Sequence, residues 1–149
     1  LSGVELRRVV RLLNTTLDGT KPAVVALTGV KGISHTLALA ILRKAGVSPN
    51  KLLGELTEEE YAKIEDVVND PHKYGIPWWL MNRQKDYRTN ESKILIGDDV
   101  NWYVTQDINL MKKIGSWKGI RHELGLKVRG QRTKTTGRKG RTVGYQRKK

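Results

Sequence analysis

The amino-acid sequence predicts a mainly α-helical protein: a small helical N-terminal domain of helix-hairpin-helix character, a helical pair, and an extended basic C-terminal tail. Three observations carry that expectation. Apolar residues recur at three-to-four spacing in three stretches, a glycine turn separates two apolar segments near residue 30, and the whole excess of positive charge sits at the C-terminal end.

From the N-terminus, Val4 to Leu13 mixes apolar and basic positions and reads as a short strand, and Asn14 to Pro22 reads as a loop with Asp18-Gly19 at its centre. Ala23 to Thr28 is a small apolar segment ending at Gly29 and Gly32. A helical pattern follows from Ser34, with Leu37, Ala38, Ile41, Leu42 and Ala45 in period, and stops at Gly46. Thr57-Glu58-Glu59-Glu60 is a capping-box signature, which starts a helix with Tyr61, Ile64, Val67 and Val68 on its apolar face and Asp70-Pro71 at its end. Tyr74 to Arg83 carries two adjacent tryptophans behind Pro77, a patch too apolar to leave in water, expected to pack on the N-terminal helices or on a partner.

Gln84 to Ser92 is polar and aperiodic, and Lys93 to Gly97 is expected to add a short extended piece. A third helix is capped by Asp98 or Asp99, with Val100, Val104, Ile108 and Met111 on one stripe and Tyr103, Leu110 and Ile114 beside it. It runs to Gly115. Trp117 to Leu124 reads as a short helix folded back on it and ending at Gly125. These readings divide the chain into a globular domain at 1–83, a linker at 84–97, a helical pair at 98–125 and a tail at 126–149.

Charge is divided as sharply as structure. Residues 1–111 hold 14 Lys and Arg against 14 Asp and Glu, whereas 112–149 hold 14 against Glu123 alone, so the net charge of +13 belongs to the last 38 residues. Such a field calls for a polyanion, and nucleic acid leads the candidates. From Leu126 onward glycines, Lys and Arg alternate with hydroxyl and amide residues, and nothing there builds a core. Fully extended, that tail reaches on the order of 80 Å. Glycine lets backbone approach phosphates and arginine forks onto paired phosphate oxygens, which suits irregular RNA. A merely solvated basic tail is the bland alternative, and the absence of compensating acid argues against it.

Other chemistry finds little support. The chain has no cysteine, which removes disulfides and thiolate metal sites and makes a cytosolic chain the natural expectation. No apolar run approaches the roughly 18 residues that span a bilayer, and the first residues lack a signal-peptide core, so no membrane partner is expected. His35, His72 and His122 lie in three separate segments without ligand spacing; no metal, cofactor or catalytic residue is expected. Leu27 to Leu42 approximates a helix-hairpin-helix, whose turn and following amides can hold a phosphate, but packing ranks ahead of RNA contact there. Trp78 and Trp79 can stack bases, and a structural role ranks ahead of that too.

The stretch WKGIRHELGLKVRGQRTKTTGRKGRTV, from Trp117 to Val143, closely resembles the C-terminal signature of the universal small-subunit ribosomal protein family called S thirteen in bacteria and S eighteen in eukaryotes. LTGVKGI, GELTEEE and WWLMNRQKD extend the resemblance along nearly the whole chain in family order, and RHELGLKVRGQRTK looks most like the archaeal form. Ser34-His35-Thr36 departs from the family's pattern. The resemblance implies a helix-two-turn-helix/helix-hairpin-helix N-terminal part bridging to large-subunit components. It also implies a helical pair on small-subunit rRNA beside the head protein of the S nineteen family, and a tail running toward transfer RNA near the peptidyl site of cytoplasmic ribosomes. By position, Lys118, Arg121 and His122, then Arg129, Gln131, Arg132, Thr133, Lys134, Thr135, Arg138, Lys139 and Arg141, are the candidates for RNA contact. The rival expectations are a helix-hairpin-helix DNA-binding protein, including a repair enzyme built on that module, and a DNA-compacting protein.

Overall fold

A computed structural model describes residues 6–137 of the chain. It is mainly helical, and the described residues fall into two compact units that divide between Trp102 and Tyr103.

In the first unit β1 (Val9–Leu12) and β2 (Thr15–Asp18) form an antiparallel hairpin with Val10 opposite Leu17 and Leu12 opposite Thr15. The expected loop over Asn14 to Pro22 is therefore half strand. Leu13 and Asn14 both take positive φ (51° and 58°), the two-residue turn whose twist matches paired strands. No glycine marks it, so the sequence conceals it. The anticipated Asp18-Gly19 turn is also present: Asp18 Oδ1 accepts from the Thr20 amide at 3.0 Å and the Thr20 hydroxyl at 2.6 Å. Val10, Leu12 and Leu17 alternate inward to the core, as the pleat requires.

α1 (Ala23–Leu27) and α2 (His35–Ala45) flank the glycine turn, and α2 ends at Gly46 in the left-handed conformation, φ 74°. Leu37, Ala38, Ile41 and Leu42 are the buried face of α2. α3 (Glu58–Asn69) opens with the complete capping box: Glu60 N donates to Thr57 Oγ1 at 3.3 Å, and the Thr57 amide donates to Glu60 Oε2 at 2.8 Å. Its buried residues are Tyr61, Ile64, Val67 and Val68, those the pattern named. Tyr61 satisfies its buried hydroxyl on the Leu53 carbonyl at 2.6 Å.

The polar stretch after Trp79 is ordered by pairing. Arg83 and Lys93 exchange backbone hydrogen bonds of 3.2 and 2.8 Å, and Asp86 and Ser92 between them are buried. The tryptophans are not part of the core. Ile76 and Met81 supply the buried contacts of that segment, while Trp78 and Trp79 sit on a 3-10 turn with their rings outside.

α4 (Asp98–Lys113) begins at Asp98, which puts Asp98 and Asp99 inside its first turn, where carboxylates oppose the positive end of the helix dipole. The division between the units falls within this helix. None of its residues is fully buried. In the second unit Ser116 caps α5 (Trp117–Glu123), its hydroxyl oxygen accepting from the Gly119 amide at 3.1 Å. The Ser116 amide and hydroxyl both donate to the Met111 carbonyl, at 3.2 and 3.0 Å, turning the chain back against the end of α4.

Candidate nucleic-acid interface

The α5 residues named from the sequence occupy one and a half turns of helix. Lys118 is exposed in the first turn, and Arg121 and His122 are half-buried in the last, where the Arg121 guanidinium suits the negative end of the dipole. Arg121 is held on two sides. Its Nε donates to the Lys127 carbonyl at 2.5 Å, and its guanidinium carbon lies 5.7 Å from the centroid of the Trp117 ring. Trp117 itself is 71% exposed.

Arg129, Gln131, Arg132, Thr133, Lys134 and Thr135 follow in an exposed segment without helix or strand. Full extension of this part is corrected by its own hydrogen bonds. Lys127 Nζ donates to Thr136 Oγ1 at 3.1 Å, and the Thr136 hydroxyl donates to the Arg132 carbonyl at 2.8 Å, so residues 127–136 curl into a loop. Gly130 and Gly137, at φ 72° and 78°, supply the bends. The Gln131 side-chain oxygen accepts from the Arg129 amide at 3.1 Å. Arg138, Lys139 and Arg141 lie outside the described residues.

Sequence reasoning named the cations and passed over what positions them. Trp117 and Arg121 are four apart on a helix, the spacing that brings side chains together, and that signal was available. Lys127 and Thr136, the two ends of the loop, carry no local signature.

The three histidines remain apart. His35 is the first residue of α2, His72 pairs through Nε2 with the Ser92 carbonyl at 2.8 Å, and His122 is on α5. Among the described residues no group of His, Asp and Glu could hold a metal ion, and no helix is long and apolar enough to cross a membrane.

The glycine turn between α1 and α2 is engaged in packing. A Cβ on Gly32, at φ 102°, would collide with the Leu95 carbonyl, and Asn82 Nδ2 donates to the Gly32 carbonyl at 3.1 Å.

Residues 11–139 match the family model described as Ribosomal protein S13/S18. The chain belongs to that family. The S13/S18 proteins it resembles include the small ribosomal subunit protein uS13 of Staphylothermus marinus, 50% identical over 96% of this chain and 95% of the relative. The same-named protein of Methanocaldococcus jannaschii is 50% identical over 97% of both chains. That of Hyperthermus butylicus is 48% identical over 100% of this chain and 99% of the relative. The archaeal character of these S13/S18 relatives agrees with the archaeal look of residues 121–134. The family match takes in every candidate contact from Lys118 to Lys139 and stops before Arg141.

Proposed function

We propose that this S13/S18 chain acts in translation as a structural, non-catalytic constituent of the small ribosomal subunit in the cytoplasm, clamping rRNA phosphate with α5 and the basic segment after it. The observation that carries this is the joint placement of charge and exposure. All of the +13 excess lies beyond residue 111, and the described part of the 126–137 segment is almost wholly exposed. A curled loop of exposed Arg, Lys and Thr, fastened to α5 through Arg121 and Lys127, presents cations and hydroxyls in several directions, which suits irregular phosphate backbone.

The division into a globular part to residue 83, a connecting stretch to 97, a helical pair to 125 and a tail beyond is part of this reading. Lys118, Arg121 and His122 meet rRNA from α5, and Arg129, Gln131, Arg132, Thr133, Lys134, Thr135, Arg138, Lys139 and Arg141 meet it from the tail. The tail's end contacts transfer RNA near the peptidyl site. The helical pair adjoins the S nineteen family protein of the head, and the N-terminal part bridges to large-subunit components. α1, the glycine turn and α2 are read as a helix-hairpin-helix whose turn serves packing, because Asn82 and Leu95 already occupy the Gly32 side.

Nucleic-acid choice tests the reading. The full chain should bind a structured small-subunit rRNA fragment far more tightly than duplex DNA of matched charge in the same salt. Parity between the two would favour a DNA-compacting protein instead.

A further inference from the structure

Trp78 and Trp79 are 52% and 60% exposed, and Tyr87, nine residues after Trp78, is 51% exposed. Cations stand beside two of these rings. Lys85 Nζ is 5.5 Å from the Trp78 centroid, and the guanidinium carbon of Arg88 is 5.3 Å from that of Tyr87.

The segment is exposed and yet firmly built. Gln84 Nε2 donates to the Trp79 and Met81 carbonyls at 3.0 and 3.3 Å, tying the tryptophan turn to the next stretch of chain. Buried Asp86 accepts from Arg83 Nε at 3.0 Å and from the Arg88 amide at 2.9 Å, and the Arg83–Lys93 pairing closes the base. The backbone that carries the rings is thus largely ordered before any ligand arrives.

Local charge indicates the ligand. Residues 1–111 are neutral in formal charge, but residues 73–93 carry Lys73, Arg83, Lys85, Arg88 and Lys93 against Asp86 and Glu91. Both acids are already ion-paired, Asp86 with Arg83 at 3.0 Å and Glu91 with Lys93 at 3.1 Å. A wholly apolar partner would leave the flanking cations unmatched. A nucleic-acid duplex offers phosphates but hides its base faces. Unpaired nucleotides offer a face for each ring and a phosphate for each cation.

We propose that Trp78, Trp79 and Tyr87, flanked by Lys85 and Arg88, form a stacking surface for unpaired RNA nucleotides, additional to the basic C-terminal segment. This rests on the RNA-binding reading above and adds a second mode of contact, aromatic and selective for single strands.

The full-length chain carrying Trp102→Tyr and Trp117→Tyr retains Trp78 and Trp79 as its only tryptophans. Titrated with short oligoadenylate, its fluorescence should be quenched to saturation, while a blunt RNA duplex of equal length leaves it nearly unchanged. In the otherwise native chain, W78A and W79A should each weaken oligoadenylate binding by about fivefold or more, with duplex affinity retained. Binding of both RNAs without quenching, or equal quenching by both, would overturn the stacking surface and leave the RNA-binding function standing. Failure of the native chain to bind either RNA would remove both. Within assembled small subunits, photo-crosslinks from Trp78, Trp79 or Tyr87 to nucleotides support the surface, and crosslinks to a protein in their place overturn it.

Discussion

Asn82 satisfies both backbone groups of Leu95: its Oδ1 accepts from the Leu95 amide at 2.8 Å, and its Nδ2 donates to the Leu95 carbonyl at 2.7 Å. The same Nδ2 reaches the Gly32 carbonyl at 3.1 Å, so one side chain fastens the turn between α1 and α2 to the strand-like stretch before α4. Replacing Asn82 with Ala leaves those groups without their partner and should destabilise the chain by about 1–3 kcal/mol in urea denaturation. N82D puts a carboxylate oxygen opposite two carbonyls. That raises its folded pKa, so its deficit should be largest at neutral pH and shrink as acid protonates it. A change below ~0.5 kcal/mol for N82A would show that the clamp is incidental.

Glu60 gives a pH dependence of the opposite kind. Burial alone would raise its pKa, but hydrogen bonds from Lys51, at 2.8 Å, and from the Thr57 amide outweigh it, and the carboxyl is held below its usual value. A depressed folded pKa stabilises the protein above the unfolded value and ceases to do so as pH falls through the folded one. Stability should therefore decline below about pH 4.5 in part through Glu60, and E60Q should flatten that limb of the acid-denaturation profile. An unaltered limb would assign the acid sensitivity elsewhere.

Gly119 lies where α5 meets the end of α4, and a Cβ there would overlap the Met111 carbonyl. G119A should loosen the helical pair by about 1–3 kcal/mol, read as faster amide exchange in α5. Because Arg121 is positioned by the same helix, rRNA affinity should fall with it. Native exchange rates in G119A would mean that the turn accommodates a methyl group by shifting.

The tail makes a quantitative claim on salt dependence. Replacing Arg129, Arg132 and Arg138 together with Ala should reduce the slope of log affinity against log salt by roughly two, at ~0.7–0.9 per phosphate contact. An unchanged slope would mean that these arginines do not hold phosphate.

What the sequence disclosed follows from how local each signal is. The capping box at Thr57, the stripe on α3 and the stop at Gly46 each depend on residues within a turn or two, and each was legible. The Leu13-Asn14 hairpin was missed because a left-handed leucine is imposed by the pairing of its strands and by no propensity of its own. The Asn82 clamp depends on contacts 13 and 50 residues away in sequence, beyond the reach of any window. On the candidate interface, composition located the cations, but the loop between Lys127 and Thr136 is a matter of backbone conformation that composition does not encode.

The most direct measurement is cosedimentation with the small ribosomal subunit through a sucrose gradient in moderately high salt, comparing the full chain with one ending at Gly125. We expect the full chain to travel with the subunit and the shortened chain to be washed off. A full chain that stays at the top of the gradient, or a shortened chain retained as well as the full one, would contradict the basic segment as the RNA clamp.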